Sequence, residues 1–103
     1  MADEPKHGTD REERARTLAL LRDQHTFPGA FGFRVVIRPG LRATVVQAVV
    51  AVIDEDALGD VHERTSRKGN YLSLRLEARM ASAEQVLEVY EVLKQVDGVL
   101  AVL

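Results

Sequence analysis

The chain has 103 residues, 46% hydrophobic and 29% charged, with a formal net charge of −2. This is the length of one domain with enough apolar content for a core, so global disorder is excluded, and the small net charge gives no overall pull toward nucleic acid or an anionic membrane. The absence of cysteine excludes disulfides, thiol catalysis and cysteine-ligated zinc, and no apolar run approaches the roughly 20 residues that cross a bilayer.

Residues 1 to about 8 read as a flexible charged tail without the apolar core of a signal peptide, so the expected location is the cytoplasm. Thr9-Asp10-Arg11-Glu12 fits a capping box. The helix it would open carries Ala15, Leu18 and Leu21 on one face, with i,i+4 pairs Asp10–Arg14 and Glu12–Arg16. At about 12–14 residues it is marginal alone and must dock or fray. Phe27-Pro28-Gly29 ends it, because proline disfavours helix at the residue before it.

Phe31 to Arg38 forms the first strand, with Phe33, Val35 and Ile37 toward the core and Arg34, Val36 and Arg38 away from it. Pro39-Gly40 breaks the strand. From Leu41 to about Asp56, apolar residues at 41, 45, 49, 52 and 53 recur at helical spacing. Valines are poor helix formers, and Val45-Val46 and Val49-Val50 also fit a strand. The length of the segment favours helix. Asp54, Glu55 and Asp56 at its end oppose the helix dipole.

Asp60 to Ser66 reads as a polar strand, suited to a sheet edge. A tight turn over Thr65–Tyr71 leads into Leu72–Met80, whose apolar residues at 72, 74, 76, 78 and 80 make the most regular strand of the chain. Ser82-Ala83-Glu84-Gln85 is a second capping box. It opens a helix with Val86, Leu87, Tyr90 and Leu93 inward and Glu84, Glu88 and Glu91 outward. Asp97-Gly98 ends that helix, and Val99 to Leu103 forms a last apolar strand.

After the first helix the order is therefore β-α-β-β-α-β. Right-handed crossovers around a central hairpin give an antiparallel four-stranded sheet of order 4-1-3-2 with two helices on one face. This is the α+β ferredoxin-like sandwich. Residues 1–24 form the tail and N-terminal helix, and residues 25–103 the ferredoxin-like domain.

Several segments are familiar as a set. Ser66-Arg67-Lys68-Gly69-Asn70-Tyr71-Leu72-Ser73, the Glu84-Gln85-Val86 to Tyr90-Glu91-Val92-Leu93 helix, the Val99–Leu103 strand, and Phe27-Pro28 ahead of Phe33-Arg34-Val35 together resemble the YbeD-like family of small bacterial proteins. The resemblance covers roughly residues 20–103. Pro39-Gly40-Leu41 and the valine-rich helix after it depart from the family pattern. The resemblance implies a ferredoxin-like fold and a likeness to ACT-type regulatory domains, and some members have a loose association with lipoate metabolism. The family is uncharacterised, so no catalytic residue carries over.

Three constellations are candidates for function. The first is the sheet face turned away from the helices, where alternation collects Arg34, Arg38, Arg64, Tyr71, Ser73, Arg75 and Arg79. It is either a solvated face or a surface for a protein partner or a second copy of the chain. RNA is disfavoured, since base stacking on such a sheet needs aromatic residues on the central strands and only Tyr71 is available. The second is the hairpin, where Ser66, Lys68, Gly69 and Asn70 are foremost turn chemistry and secondarily an anion site. The third is Pro39-Gly40, an ordinary break or, as ACT likeness implies, part of a site for a small carboxylate or amino acid. His7, His25 and His62 lack metal-ligand spacing, and no serine stands in a nucleophile context. The expectation is a non-enzymatic domain without metal or cofactor.

Overall fold

Two strands alternate so regularly that they set the architecture. In a computed structural model, which describes residues 3–103 with side chains from Asp10 onward, β1 (Gly29–Ile37) and β3 (Leu72–Met80) pair antiparallel along their whole length, from Gly29 opposite Met80 to Ile37 opposite Leu72. Phe31, Phe33, Val35 and Ile37 from β1 and Leu72, Leu74, Leu76, Ala78 and Met80 from β3 are all buried on one face. A period of two sorts the side chains, so burying one face drives every other residue to the opposite face. The outer strands are β2 (Leu58–Thr65) and β4 (Val99–Val102), giving the order β2-β3-β1-β4 with every neighbour antiparallel. Read from the other end this is 4-1-3-2, the ferredoxin-like order.

Helices α2 (Arg42–Val50) and α3 (Ala83–Gln95) cover the buried face. They contribute Val45 and Val49, and Ala83, Val86, Val89 and Leu93. The start of α3 matches the capping box: Ser82 Oγ accepts from the Gln85 N–H at 3.2 Å. The Gln85 side chain reaches back one residue further than expected, accepting from the Ala81 N–H at 2.7 Å. Val89 rather than Leu87 lies in the inward stripe. Leu87 and Tyr90 are half-buried at its margin.

The helix expected from Leu41 to about Asp56 is shorter. Leu41 only precedes α2, and the helix closes after Val50, where the Val52 and Ile53 N–H groups both donate to the Val49 carbonyl at 3.0 Å. Two forces end it there. The valines propagate helix weakly, and extending it would put Asp54, Glu55 and Asp56 against the negative end of the dipole. They stand instead around a separate 3-10 turn, Glu55–Ala57, with Glu55 and Asp56 in its first turn. β2 accordingly begins at Leu58, two residues early, and Leu58 and Val61 pack against the core.

Helix α1 spans Asp3–Gln24, so the backbone is already helical where a tail had been expected and Thr9 does not open the helix. The tail positions 1–2 and the capping role of the Thr9 side chain lie outside the described residues. α1 docks on α3. Leu21 packs against the core, Arg14 pairs with Glu91 at 3.6 Å, and Arg22 pairs with Glu84. Leu18 is half-buried, but Ala15 is exposed, so the apolar contact lies near the C-terminal end of α1. Exposed pairs of this kind contribute about 0–1 kcal/mol each.

Between α1 and α3 runs a groove of about 630 Å³ that includes Thr17, Leu87, Tyr90 and Lys94. Tyr90 stands edge-on to Phe33, with centroids 5.3 Å apart, and burial pushes its pKa above the usual 10.0. The unfolded chain therefore loses the Tyr90 proton first. The effect is absent below pH 10.0, and stability falls as pH rises from there through the folded-state value. Urea unfolding at about pH 9 and about pH 11 should show a smaller decline for Tyr90→Phe than for the wild type.

The link from α3 to β4 requires one glycine. The Val99 N–H donates to the Val96 carbonyl at 3.2 Å, closing a turn over Asp97 and Gly98, and Gly98 has φ +95°. A Cβ there would also stand 2.1 Å from Leu41 Cδ1. Leu41 can swing away, but the backbone cannot, so Gly98→Ala should destabilise by about 1–3 kcal/mol in chemical denaturation.

Candidate functional site

The face without helices is built by the same alternation that builds the core. Outward positions are Ala30, Gly32, Arg34 and Val36 on β1 and Ser73, Arg75, Glu77 and Arg79 on β3. The register stacks them in rungs. Arg34 lies directly opposite Arg75, which on its other side faces His62 of β2. In the next rung Val36 faces Ser73, which faces Arg64, and Ala101 of β4 completes the rung beside Val36. Toward the other end Glu77 faces Gly32, and Arg79 faces Ala30.

The Arg34–Arg75 pair is close. The Leu103 N–H donates to the Arg34 carbonyl at 2.7 Å, so the backbone groups of Arg34 point to the β4 side. Toward β3 it then forms the non-hydrogen-bonded kind of pair, with Cα atoms about 4.5 Å apart. Like charges directly opposite each other destabilise a sheet; Glu77 shares the outward face, but among the described residues no ion pair joins it to either arginine. Among the described residues the ion pairs are Arg14–Glu91, Arg22–Glu84 and Arg42–Glu63, all on the helix side. Glu63 belongs to β2 but turns toward α2, where Arg42 takes it. Among the described residues, Arg34, Arg64, Arg75 and Arg79 have no carboxylate within ion-pair distance.

The other expected site residues fall at the margins. Arg38 lies just past the end of β1 and is tied by its N–H to the Gly98 carbonyl at 3.0 Å, outside the Arg34–Arg75 rung. Tyr71 precedes β3 and is 50% exposed. With Val36, Arg64, Arg67 and Ser73 it lines a shallow cleft of about 680 Å³ at the hairpin end of the face.

The hairpin is wider than a tight turn, since Thr65 pairs with Leu72 and residues 66–71 form the loop. Ser66 closes it: its N–H donates to the Tyr71 carbonyl, its Oγ accepts from the Tyr71 N–H, both at 3.0 Å, and its carbonyl accepts from the Gly69 N–H at 2.9 Å. Gly69 supplies the positive φ, +76°. Ser66 and the Gly69 amide are thus engaged in the loop itself, while Lys68 and Asn70 are exposed. Pro39 and Gly40 are exposed as well, remote in register from the arginine rungs, and Leu41 at the start of α2 provides no side-chain cap.

His62, Gly32 and Leu103 belong to this face but were not among the expected site residues. Alternation already put His62 on the outward side of its strand. Only the β2–β3 register reveals that it stands beside Arg75.

Comparison with known proteins agrees with the fold. The solution structure of protein HP0495 from H. pylori superposes with a TM-score of 0.67 at 15% identity, over 77% of this chain and 85% of that one. Among sequence relatives, the UPF0250 protein PM1928 of Pasteurella multocida (strain Pm70) is 39% identical over 87 residues, 82% of this chain and 97% of its own length. A UPF0250 protein of Shewanella loihica (strain ATCC BAA-1088 / PV-4) is 38% identical over 79 residues, 75% of this chain and 88% of its own. The family described as "Protein of unknown function (DUF493)" matches residues 22–103, which leaves most of α1 outside the match. The chain belongs to that family, the small uncharacterised bacterial proteins of YbeD-like type.

Proposed function

We propose that this chain is a non-enzymatic binding domain whose open sheet face takes an acidic protein partner. One observation carries the reading. Arg14, Arg22 and Arg42 on the helix side form ion pairs within the fold, while among the described residues Arg34, Arg64, Arg75 and Arg79 on the sheet face have none, and two of these stand directly opposite each other. A partner's carboxylates would offset that repulsion and accept bidentate hydrogen bonds from the guanidinium groups. Packing two copies face to face would bring arginine against arginine, which favours a different, acidic partner over self-association. An RNA surface would need stacking rings on β1 and β3, but Phe31 and Phe33 point into the core. A small-carboxylate sensor at Pro39-Gly40 has less behind it, because both residues are exposed and lie outside the Arg34–Arg75 rung.

Affinity capture from the native host, with wild type and an Arg34→Glu/Arg75→Glu/Arg79→Glu variant as parallel baits, tests the proposal. The expected result is a protein with an acidic surface that the wild type retains, that salt weakens, and that the variant loses. Retention of the same proteins by both baits would sink it, as would capture of nucleic acid in place of an acidic protein.

A further inference from the structure

Gly32 is at odds with its surroundings. It occupies the middle of β1, between Phe31 and Phe33, and its outward position is exposed. It does not have positive φ, and a Cβ built on it would meet nothing within 4 Å. Neither backbone conformation nor packing calls for glycine here. Glycine in a strand interior is unfavourable by about 0.5–1 kcal/mol relative to alanine, and it often marks close approach of a ligand or another chain. The missing side chain opens a depression of about 320 Å³ lined by Gly32, Phe33, Arg34, Arg75 and Leu103. Leu103, 65% exposed, gives it an apolar wall, and the two unpaired arginines flank it.

We propose that this depression is the anchoring subsite of the acidic partner and that it receives one aromatic side chain. The proposal rests on the reading of the open face as an acidic-partner surface and adds what distinguishes the right acidic partner from any other. A ring over bare Gly32 backbone would meet Leu103 on one side. It would also lie within reach of the Arg34 and Arg75 guanidinium groups, which attract aromatic faces and lie flat against them. Carboxylates beside the aromatic residue would then reach the same arginines and Arg64. A buried aromatic anchor surrounded by polar contacts is the usual energetic plan of a specific interface. The occupant is thus an acidic segment with a single aromatic residue at its centre.

Two synthetic peptides test this: an Asp/Glu-rich peptide with one central Phe, and the same peptide with Ala in its place, each measured by fluorescence anisotropy at low salt. Wild type should bind the Phe peptide about tenfold more tightly than the Ala peptide. Gly32→Leu fills the depression. It should melt no lower than wild type and lose the preference for Phe, binding the two peptides alike. Gly32→Ala, a smaller change, should show an intermediate preference and serves if Gly32→Leu folds poorly. Equal binding of the two peptides by wild type, or an undiminished preference in both Gly32 variants, would overturn the aromatic subsite while leaving the acidic-partner reading intact. Failure of wild type to bind either peptide more tightly than the Arg34→Glu/Arg75→Glu variant does would overturn both.

Discussion

Replacing Arg34 and Arg75 together by Glu should weaken binding of the acidic partner by about 100-fold or more without lowering the melting temperature. Each reversal removes a charge-assisted contact and sets a carboxylate against the partner's own, and losing one such contact costs about 2–5 kcal/mol. The folded state behaves differently. The wild-type pair is already two like charges in register, and the double variant restores two like charges of the other sign. Arg34→Glu alone places opposite charges across the strands and should stabilise the fold by about 0.2–1 kcal/mol. The single variant should therefore melt slightly higher than wild type while binding less well. Thermal unfolding and titration calorimetry with the captured partner check both halves. Undiminished binding by the double variant would remove the arginine pair from the interface.

Phe33→Ala should have the largest effect on stability, a loss of about 3–5 kcal/mol. Phe33 is 1% exposed and packs against Phe31 at 4.9 Å and Tyr90 at 5.3 Å, joining β1 to α3. Domains of this size have about 5–15 kcal/mol in total, so the variant would be close to unfolding. At about 4–8 °C per kcal/mol the melting temperature should fall by more than 10 °C. The neighbouring Gly32→Ala, one residue away on the other face, should be neutral or stabilising. The contrast measures the sidedness of β1 directly. A loss below about 1 kcal/mol at Phe33 would mean that its ring does not bridge sheet and helix.

The candidate binding face was legible in part. Arg34, Arg64, Ser73, Arg75 and Arg79 follow from alternation along their strands, because a period of two assigns each residue to a face without knowledge of its partners. Which of them stand directly opposite each other does not follow. That Arg34 meets Arg75, that His62 adjoins it, and that Leu103 walls the depression at Gly32 all depend on register between strands distant in sequence. Glu63 illustrates the same gap: its pairing with Arg42 across the β2–α2 contact removes it from the charges available to the arginines.

Periodicity was enough to establish the order of elements, the inward residues of β1 and β3, the ferredoxin-like arrangement and the capped start of α3. These are local patterns, and burial of one face enforces them. Tertiary structure decided where α2 stops, because its weak valine helix yields to the unfavourable placement of three acidic residues and to the demands of β2 on the core. It decided that α1 docks, since α1 relies on Leu21 and two ion pairs to α3. It also decided which charges are matched within the fold. Charge pairing joins side chains by proximity in space, which spacing along the chain does not record, and among the described residues it leaves the arginines of the open sheet face without a carboxylate.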